Sequence, residues 1–212
     1  AVLAEGPGLV LLSGDTNDVV AGLESAGVPA LVLPAAETID DVYEQIELVG
    51  KATGHMVAAD DLVEEMQADI DEILADVPER DEPLTYFHEL DDMLFTVTSE
   101  TFIGQIYSLA GLENVADAAD PTGEAAGYPQ LSPEYLVDAD PDVIFLADAE
   151  CCGQDAETVA ARPGFDQLTA VRQGNIVELD EDIASRWGPR VVDFLRAIVD
   201  ATADVDATAT AG

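Results

Sequence analysis

Residues 61–77 read Asp-Leu-Val-Glu-Glu-Met-Gln-Ala-Asp-Ile-Asp-Glu-Ile-Leu-Ala-Asp-Val, and the spacing of their apolar members decides how the chain is organised. Leu62, Met66, Ile70, Ile73, Leu74 and Val77 recur at helical intervals and form one stripe. Asp61 and Glu64 make a D-x-x-E start signal, and Pro78 with the polar stretch 79–83 ends the run. At about 1.5 Å per residue such a helix spans roughly 25 Å, the width of a small domain. It predicts a rigid connector between two units.

Short strands alternate with helices on both sides of it. Upstream, Leu9–Leu12 leads into the turn Ser13-Gly14-Asp15-Thr16 and a helix burying Val19, Val20 and Leu23. Gly27 stops that helix, Ala30–Leu33 is the next strand, and Thr38 caps a helix with Ile39, Val42, Ile46 and Val49 on one face. Downstream, Leu84–His88 is a strand and Leu94–Thr98 a strand or extended turn. Ser99 is expected to cap a helix carrying Phe102, Ile103, Ile106 and Leu109, stopped by Gly111. Ser132-Pro133-Glu134 starts another helix, with Pro at its first position. Val143–Ala147 and Asn175–Leu179 are buried strands, and Gly188-Pro189 opens a last helix with Val192, Leu195, Ile198 and Val199 inward. This alternation predicts an α/β fold with parallel pairing: two α/β lobes joined by one long rigid helix. The boundaries are a partial first lobe at 1–57, the connector at 58–78, a second lobe at 79–203 and the start of a flexible stalk at 204–212.

Composition narrows the function. The 212 residues hold 45 Asp and Glu against 7 Lys and Arg, a net charge of −38, with 48 % hydrophobic residues. That apolar content supports a packed core and argues against disorder. Nucleic-acid binding and attachment to anionic lipid both need clustered cations, and the chain has only Lys51 and six scattered arginines. No apolar run approaches the roughly 20 residues of a membrane span. The acid-rich, lysine-poor balance resembles that of haloarchaeal proteins, whose self-repulsion is screened by salt.

The ordered motifs of the second half carry a family resemblance. They are Thr101-Phe102-Ile103-Gly104, Leu109–Val115, Tyr128-Pro129-Gln130-Leu131-Ser132-Pro133-Glu134, Pro141-Asp142-Val143-Ile144, Val171–Val177 and Ser185-Arg186-Trp187-Gly188-Pro189-Arg190. The chain resembles class III substrate-binding proteins of ABC importers, which serve cobalamin, siderophores, haem and some metal ions, and within that class the cobalamin-binding type. The resemblance implies an extracytoplasmic, cell-surface receptor with no catalysis and no resident cofactor. Its ligand, a corrinoid, sits between the lobes, and surface carboxylates dock on permease arginines. Glu134 is the docking carboxylate that the resemblance carries over; the alternative is a plain cap residue favoured by the helix dipole. Pro7–Leu12 echoes Pro141–Leu146, and Glu134 stands seven residues before Pro141. The equivalent glutamate of the first lobe is therefore expected just ahead of Ala1, in a chain read as N-terminally truncated.

Ligands of open α/β layers gather at the carboxyl ends of strands. The candidates are Ser13 and Asp15 in the first lobe; His88, Glu89 and Asp91; Cys151 and Cys152; and Ile183, Ser185, Arg186 and Trp187. His88 is either a contact to a corrinoid edge or a strand-end hydrogen bonder. Adjacent Cys151 and Cys152 are either a vicinal disulfide at the cleft rim or two small packed thiols, without zinc-site spacing. Trp187 suits a flat organic ligand, while Arg186 and Arg190 pair with ligand or with surface acids. The competing functions are a receptor for ferric siderophore or haem, a folded lobe lacking half its site, and an α/β enzyme. Against the enzyme, no G-x-S-x-G, Walker, G-x-G-x-x-G or H-E-x-x-H motif occurs. With −38 to screen, the melting temperature is expected to climb as KCl rises from low to multimolar concentration; a flat profile contradicts the halophilic reading.

Overall fold

The computed structural model describes residues 2–184 and 186–205. The expectations for Ser185 and for the tail from residue 206 fall outside the described residues. The first elements in chain order are β1 (Val10–Leu12), α1 (Val19–Ser25), β2 (Ala30–Val32), α2 (Ile39–Thr53) and α3 (Met56–Ala75). Then follow β3 (Thr85–Glu89), α4 (Phe102–Leu109), β4 (Glu113–Asn114), α5 (Pro133–Ala139), β5 (Val143–Leu146) and α6 (Ala149–Cys152). The last are α7 (Ala156–Ala160), α8 (Thr169–Gln173), β6 (Ile176–Glu178), α9 (Glu181–Ala184) and α10 (Val191–Thr202).

All pairing in the two sheets is parallel. β1 and β2 form a two-stranded sheet, and the larger sheet has the order β4-β3-β5-β6. Residue parity divides the larger sheet between two cores. Tyr86, Val143 and Phe145 face one cluster with Tyr107, Phe194 and Ile198, whereas Phe87, Ile144 and Leu146 face another with Leu136, Val159 and Phe165. Helices therefore cover both faces, as a buried parallel sheet requires.

The connector is longer than its sequence signal. α3 has 20 residues and begins at Met56, so Asp61 and Glu64 lie inside it rather than at its start. At about 1.5 Å per residue it spans roughly 30 Å. Gly54, with φ 78°, ends α2 in the left-handed region, and the chain turns at once into α3. The two helices form a hairpin so close that a Cβ on Gly50 would lie 2.5 Å from the Ala59 Cβ. That contact supports the first turn of α3 without a side-chain cap. Farther along, Met66, Ile70 and Ile73 enter the core shared with α10.

Local capping follows the sequence in two places and departs from it in a third. Thr38 and Asp41 form a reciprocal capping box on α2, and the Ser132 hydroxyl accepts from the Tyr135 N–H. At α4 the cap is Thr101, whose Oγ1 accepts from Gly104 N at 3.0 Å. Ser99 is instead held by Asp117, through its N–H at 2.8 Å and its hydroxyl at 2.7 Å. Residues 94–98 form no strand; a single antiparallel bridge ties Phe95 to Gln130, after Leu94 at φ 65°. Gly104 lets α4 settle on the 98–101 turn, because a Cβ there would sit 2.0 Å from the Thr98 carbonyl oxygen. Gly104→Ala adds about 1 kcal/mol of helix propensity, but the overlap costs more. Denaturant unfolding is expected to show a net loss of about 1–3 kcal/mol, and a gain would mean that the turn moves freely.

Candidate functional site

A cleft of about 840 Å³ opens where the carboxyl ends of β1 and β2 face the segment before α10. Leu11 and Leu12 come from β1, Ser13 and Leu33 are the residues that follow β1 and β2, Val42, Gln45, Ile46 and Val49 come from α2, and Leu62 from α3. Arg186, Trp187, Gly188 and Pro189 supply the opposite wall. The lining is mainly apolar, with polar groups at Ser13, Gln45 and Arg186, a composition suited to holding and orienting an organic ligand. Trp187 is 38 % exposed, so its ring presents surface to the cleft. Arg186 donates from Nε to Asp182 at 3.0 Å, with both side chains more than half exposed. An ion pair that open is worth about 0–1 kcal/mol and yields readily to a ligand. Arg190 stands 3.9 Å from the same carboxylate.

Of the residues expected at strand ends, the structure brings Ser13, Arg186 and Trp187 together. Asp15 is exposed and uses Oδ1 to accept from Val20 N at 3.0 Å, closing the turn into α1. Asp91 closes another turn, accepting from Met93 N and Phe95 N at 3.0 and 3.3 Å. Ile183 packs against the larger core from α9.

His88 and Glu89 do not reach the cleft; both are fully buried. His88 lies on the β3 face toward α4, where Nδ1 shares a hydrogen with the Tyr107 hydroxyl at 2.8 Å. Burial pushes its pKa down to about 3, so the ring is neutral. Glu89 lies on the opposite face and receives Arg162 as a fork, two bonds of 2.6 Å each. Strand parity sends adjacent residues to opposite cores, and neither side chain projects past the strand end.

Beside this ion pair Asp148 is fully buried, and neither of its carboxylate oxygens has a partner among the described residues. Burial, and then the neighbouring Glu89 charge, push its pKa up to about 6. Asp148 precedes α6, in which Cys151 and Cys152 are joined as a vicinal disulfide. Both cysteines are exposed, and Cys151 N donates to Glu181 Oε1 at 2.5 Å. Glu134 stands exposed in the first turn of α5. Among the described residues no group of three or more His, Cys, Asp or Glu is arranged to hold a metal ion, and no helix is long and apolar enough to cross a membrane.

Residues 1–183, which include the cleft's strands and helices, match the family described as periplasmic binding protein. The chain belongs to that family. A cobalamin-binding protein of Halobacterium salinarum is 32 % identical over 206 residues, covering 95 % of this chain and 54 % of its own. An uncharacterised ABC transporter substrate-binding lipoprotein of Bacillus subtilis is 29 % identical, covering 86 % of this chain and 56 % of its own. The chain thus spans about half the length of the curated relatives it matches. The solved periplasmic haem-binding protein RhuT of Roseiflexus superposes with a TM-score of 0.79 at 24 % identity, covering 94 % of this chain and 78 % of that one. These relatives are binding proteins, not enzymes.

In this periplasmic binding protein the α2 and α3 side of the cleft escaped sequence reasoning. Val42, Ile46 and Val49 carry an ordinary core periodicity, and nothing in it marks which part of the stripe lines a cleft. Asp148 was missed as well, since the sequence shows no partner for it. Its raised pKa means that between about pH 4 and pH 6 the native state holds a proton which the unfolded chain has lost. Stability from this group is therefore fully present at low pH and disappears as pH rises through about 6. Asp148→Asn is expected to remove that part of the pH profile and to stabilise the protein at pH 7 by on the order of 1–3 kcal/mol. Unfolding curves at pH 4 and pH 7 check it, and equal effects at both would show that Asp148 does not titrate in that window.

Proposed function

We propose that this chain is the solute-recognising part of an extracytoplasmic receptor that hands a corrinoid, cobalamin or a close relative, to the permease of an ABC importer. The observation that carries the reading is the apolar cleft with one tryptophan and one guanidinium on a single wall. A corrinoid offers a broad, largely apolar ring bordered by amides. The floor of Leu11, Leu33, Ile46 and Val49 takes the ring, Trp187 packs on its edge, and Arg186, Gln45 and Ser13 hydrogen-bond to the amides. The name of the Halobacterium relative supports the same ligand. Binding of this kind needs no resident cofactor and breaks no covalent bond.

In this reading residues 1–57 and 79–203 are the two lobes, residues 58–78 the connector and 204–212 the start of a stalk toward a membrane anchor. Asp15, Asp91, Ile183 and the Cys151–Cys152 turn shape the loops around the ligand, while His88 and Glu89 hold the second lobe rigid beneath it. Glu134, exposed and clear of the cleft, docks on a permease arginine. A second reading, haem or a ferric siderophore as the ligand, is favoured by the likeness to the haem-binding structure.

Titration of the folded protein with cobalamin in multimolar salt, followed by visible absorbance, is expected to saturate at one to one. Trp187→Ala should weaken it about tenfold or more, equivalent to ~1.4 kcal/mol, and Glu134→Ala should leave it unchanged while impairing permease engagement. Saturation by haem but not by cobalamin would replace the first reading with the second.

A further inference from the structure

The exposed disulfide turn and the cleft wall are joined by a short series of contacts. Cys151 N donates to Glu181 Oε1 at 2.5 Å, and Glu181 is the first residue of α9. The next residue, Asp182, holds Arg186 at 3.0 Å and stands 3.9 Å from Arg190. Arg186 and Trp187 then line the cleft. α9 has four residues, too few to hold a helix without outside contacts. α6 also has four residues, and Asp148 at its start gives it no side-chain cap. The turn that presents the Cys151 N–H is held by the Cys151–Cys152 bond together with Cys152 N on the Asp148 carbonyl at 3.1 Å and Gly153 N on the Ala149 carbonyl at 2.9 Å.

We infer that the Cys151–Cys152 turn and Glu181 are positioning elements for the Arg186–Trp187 wall, and that opening the disulfide with a dithiol loosens this wall and weakens solute binding. The last clause rests on the cleft being the solute site. Both cysteines are exposed, so the bond is accessible. A thiolate of the dithiol attacks one Sγ to form a mixed disulfide, and its second thiol displaces the protein sulfur. The protein gains two electrons and two protons as a pair of thiols, and the dithiol leaves as its own disulfide. Without the Cys151–Cys152 bond, the turn loses its fixed shape, the Cys151–Glu181 hydrogen bond is released, and α9 no longer holds Asp182 in place against Arg186.

Trp187 is the only tryptophan in the sequence, so its fluorescence reports on the wall with no ligand present. The experiment compares acrylamide quenching of the full 212-residue chain, in multimolar salt, before and after dithiothreitol, with thiol titration to confirm reduction. Reduction is expected to red-shift the emission and raise the quenching constant while circular dichroism keeps the helical signal. The Cys151→Ser, Cys152→Ser double variant should show the raised quenching from the outset and no response to dithiothreitol. Glu181→Ala, which removes the acceptor, should raise quenching with the disulfide intact. An unchanged Trp187 signal in the fully reduced chain overturns the inference, and so does collapse of the helical signal, which would make the disulfide a restraint on the whole fold. Cobalamin titrated against both forms reads the ligand separately: weaker binding by the reduced form supports the linkage, and equal affinity overturns it. If neither form binds cobalamin, the corrinoid reading fails and the fluorescence result alone judges the wall.

Discussion

The parallel pairing of β3 with β5, Tyr86 opposite Val143 through to Glu89 opposite Leu146, is the constraint on which the larger half of the molecule depends. Both strands are buried on both faces, so each successive residue must suit a different core. Tyr86 stacks on Tyr107 at 4.0 Å between centroids, and Phe145 lies 4.9 Å from the same ring. One residue along, Phe87, Ile144 and Leu146 meet the second cluster. A slip of one position would exchange these sets and drive His88 and Glu89 into each other's surroundings. The neutral His88 beside Tyr107 and Glu89 under its arginine fork are fitted to opposite sides of a single sheet.

The smaller sheet sets the same sequence pattern in other surroundings. Pro7–Leu12 and Pro141–Leu146 are similar runs, and both become parallel strands. β5 has strands on both sides and is wholly buried, whereas among the described residues β1 pairs with β2 and leaves Leu11 49 % exposed. Apolar surface that closes a core in one place becomes the floor of a cleft in the other. Burial is a property of what surrounds a strand, so one of two similar segments is enclosed in a core while the other lines a cleft.

Charge works in the same divided way. Forty-five acids cover a chain with seven cations, and at the surface a single pair such as Arg186 with Asp182 contributes little. Inside, the forked pair of Arg162 with Glu89 is demanding: two carboxylates lie near one guanidinium, and Asp148 is left without a hydrogen-bond partner among the described residues. Below about pH 6 the neutral acid is the less costly form there, because a buried carboxylate loses its hydration with only a share of the Arg162 charge in return. Arg186 is thus available to a ligand for the reason that Arg162 is not.

The amino-acid sequence by itself determined the elements: the strand and helix alternation, the 38 and 132 caps, the apolar stripe of the connector and the place of Trp187 and Arg186 after the last strand. These rest on periodicity and turn chemistry within a few residues, which a linear reading captures. It misplaced the start of α3 and the cap of α4, where Ala59 against Gly50 and Asp117 on Ser99 outweigh local preference. Only the tertiary structure decided that His88 and Glu89 belong to the interior, that Val42, Ile46 and Val49 face a cleft, and that the Cys151 turn leans on Glu181. Each of these depends on which segments distant in the chain become neighbours, and on the side of a sheet or helix they cover. Residue spacing along one segment carries no record of that.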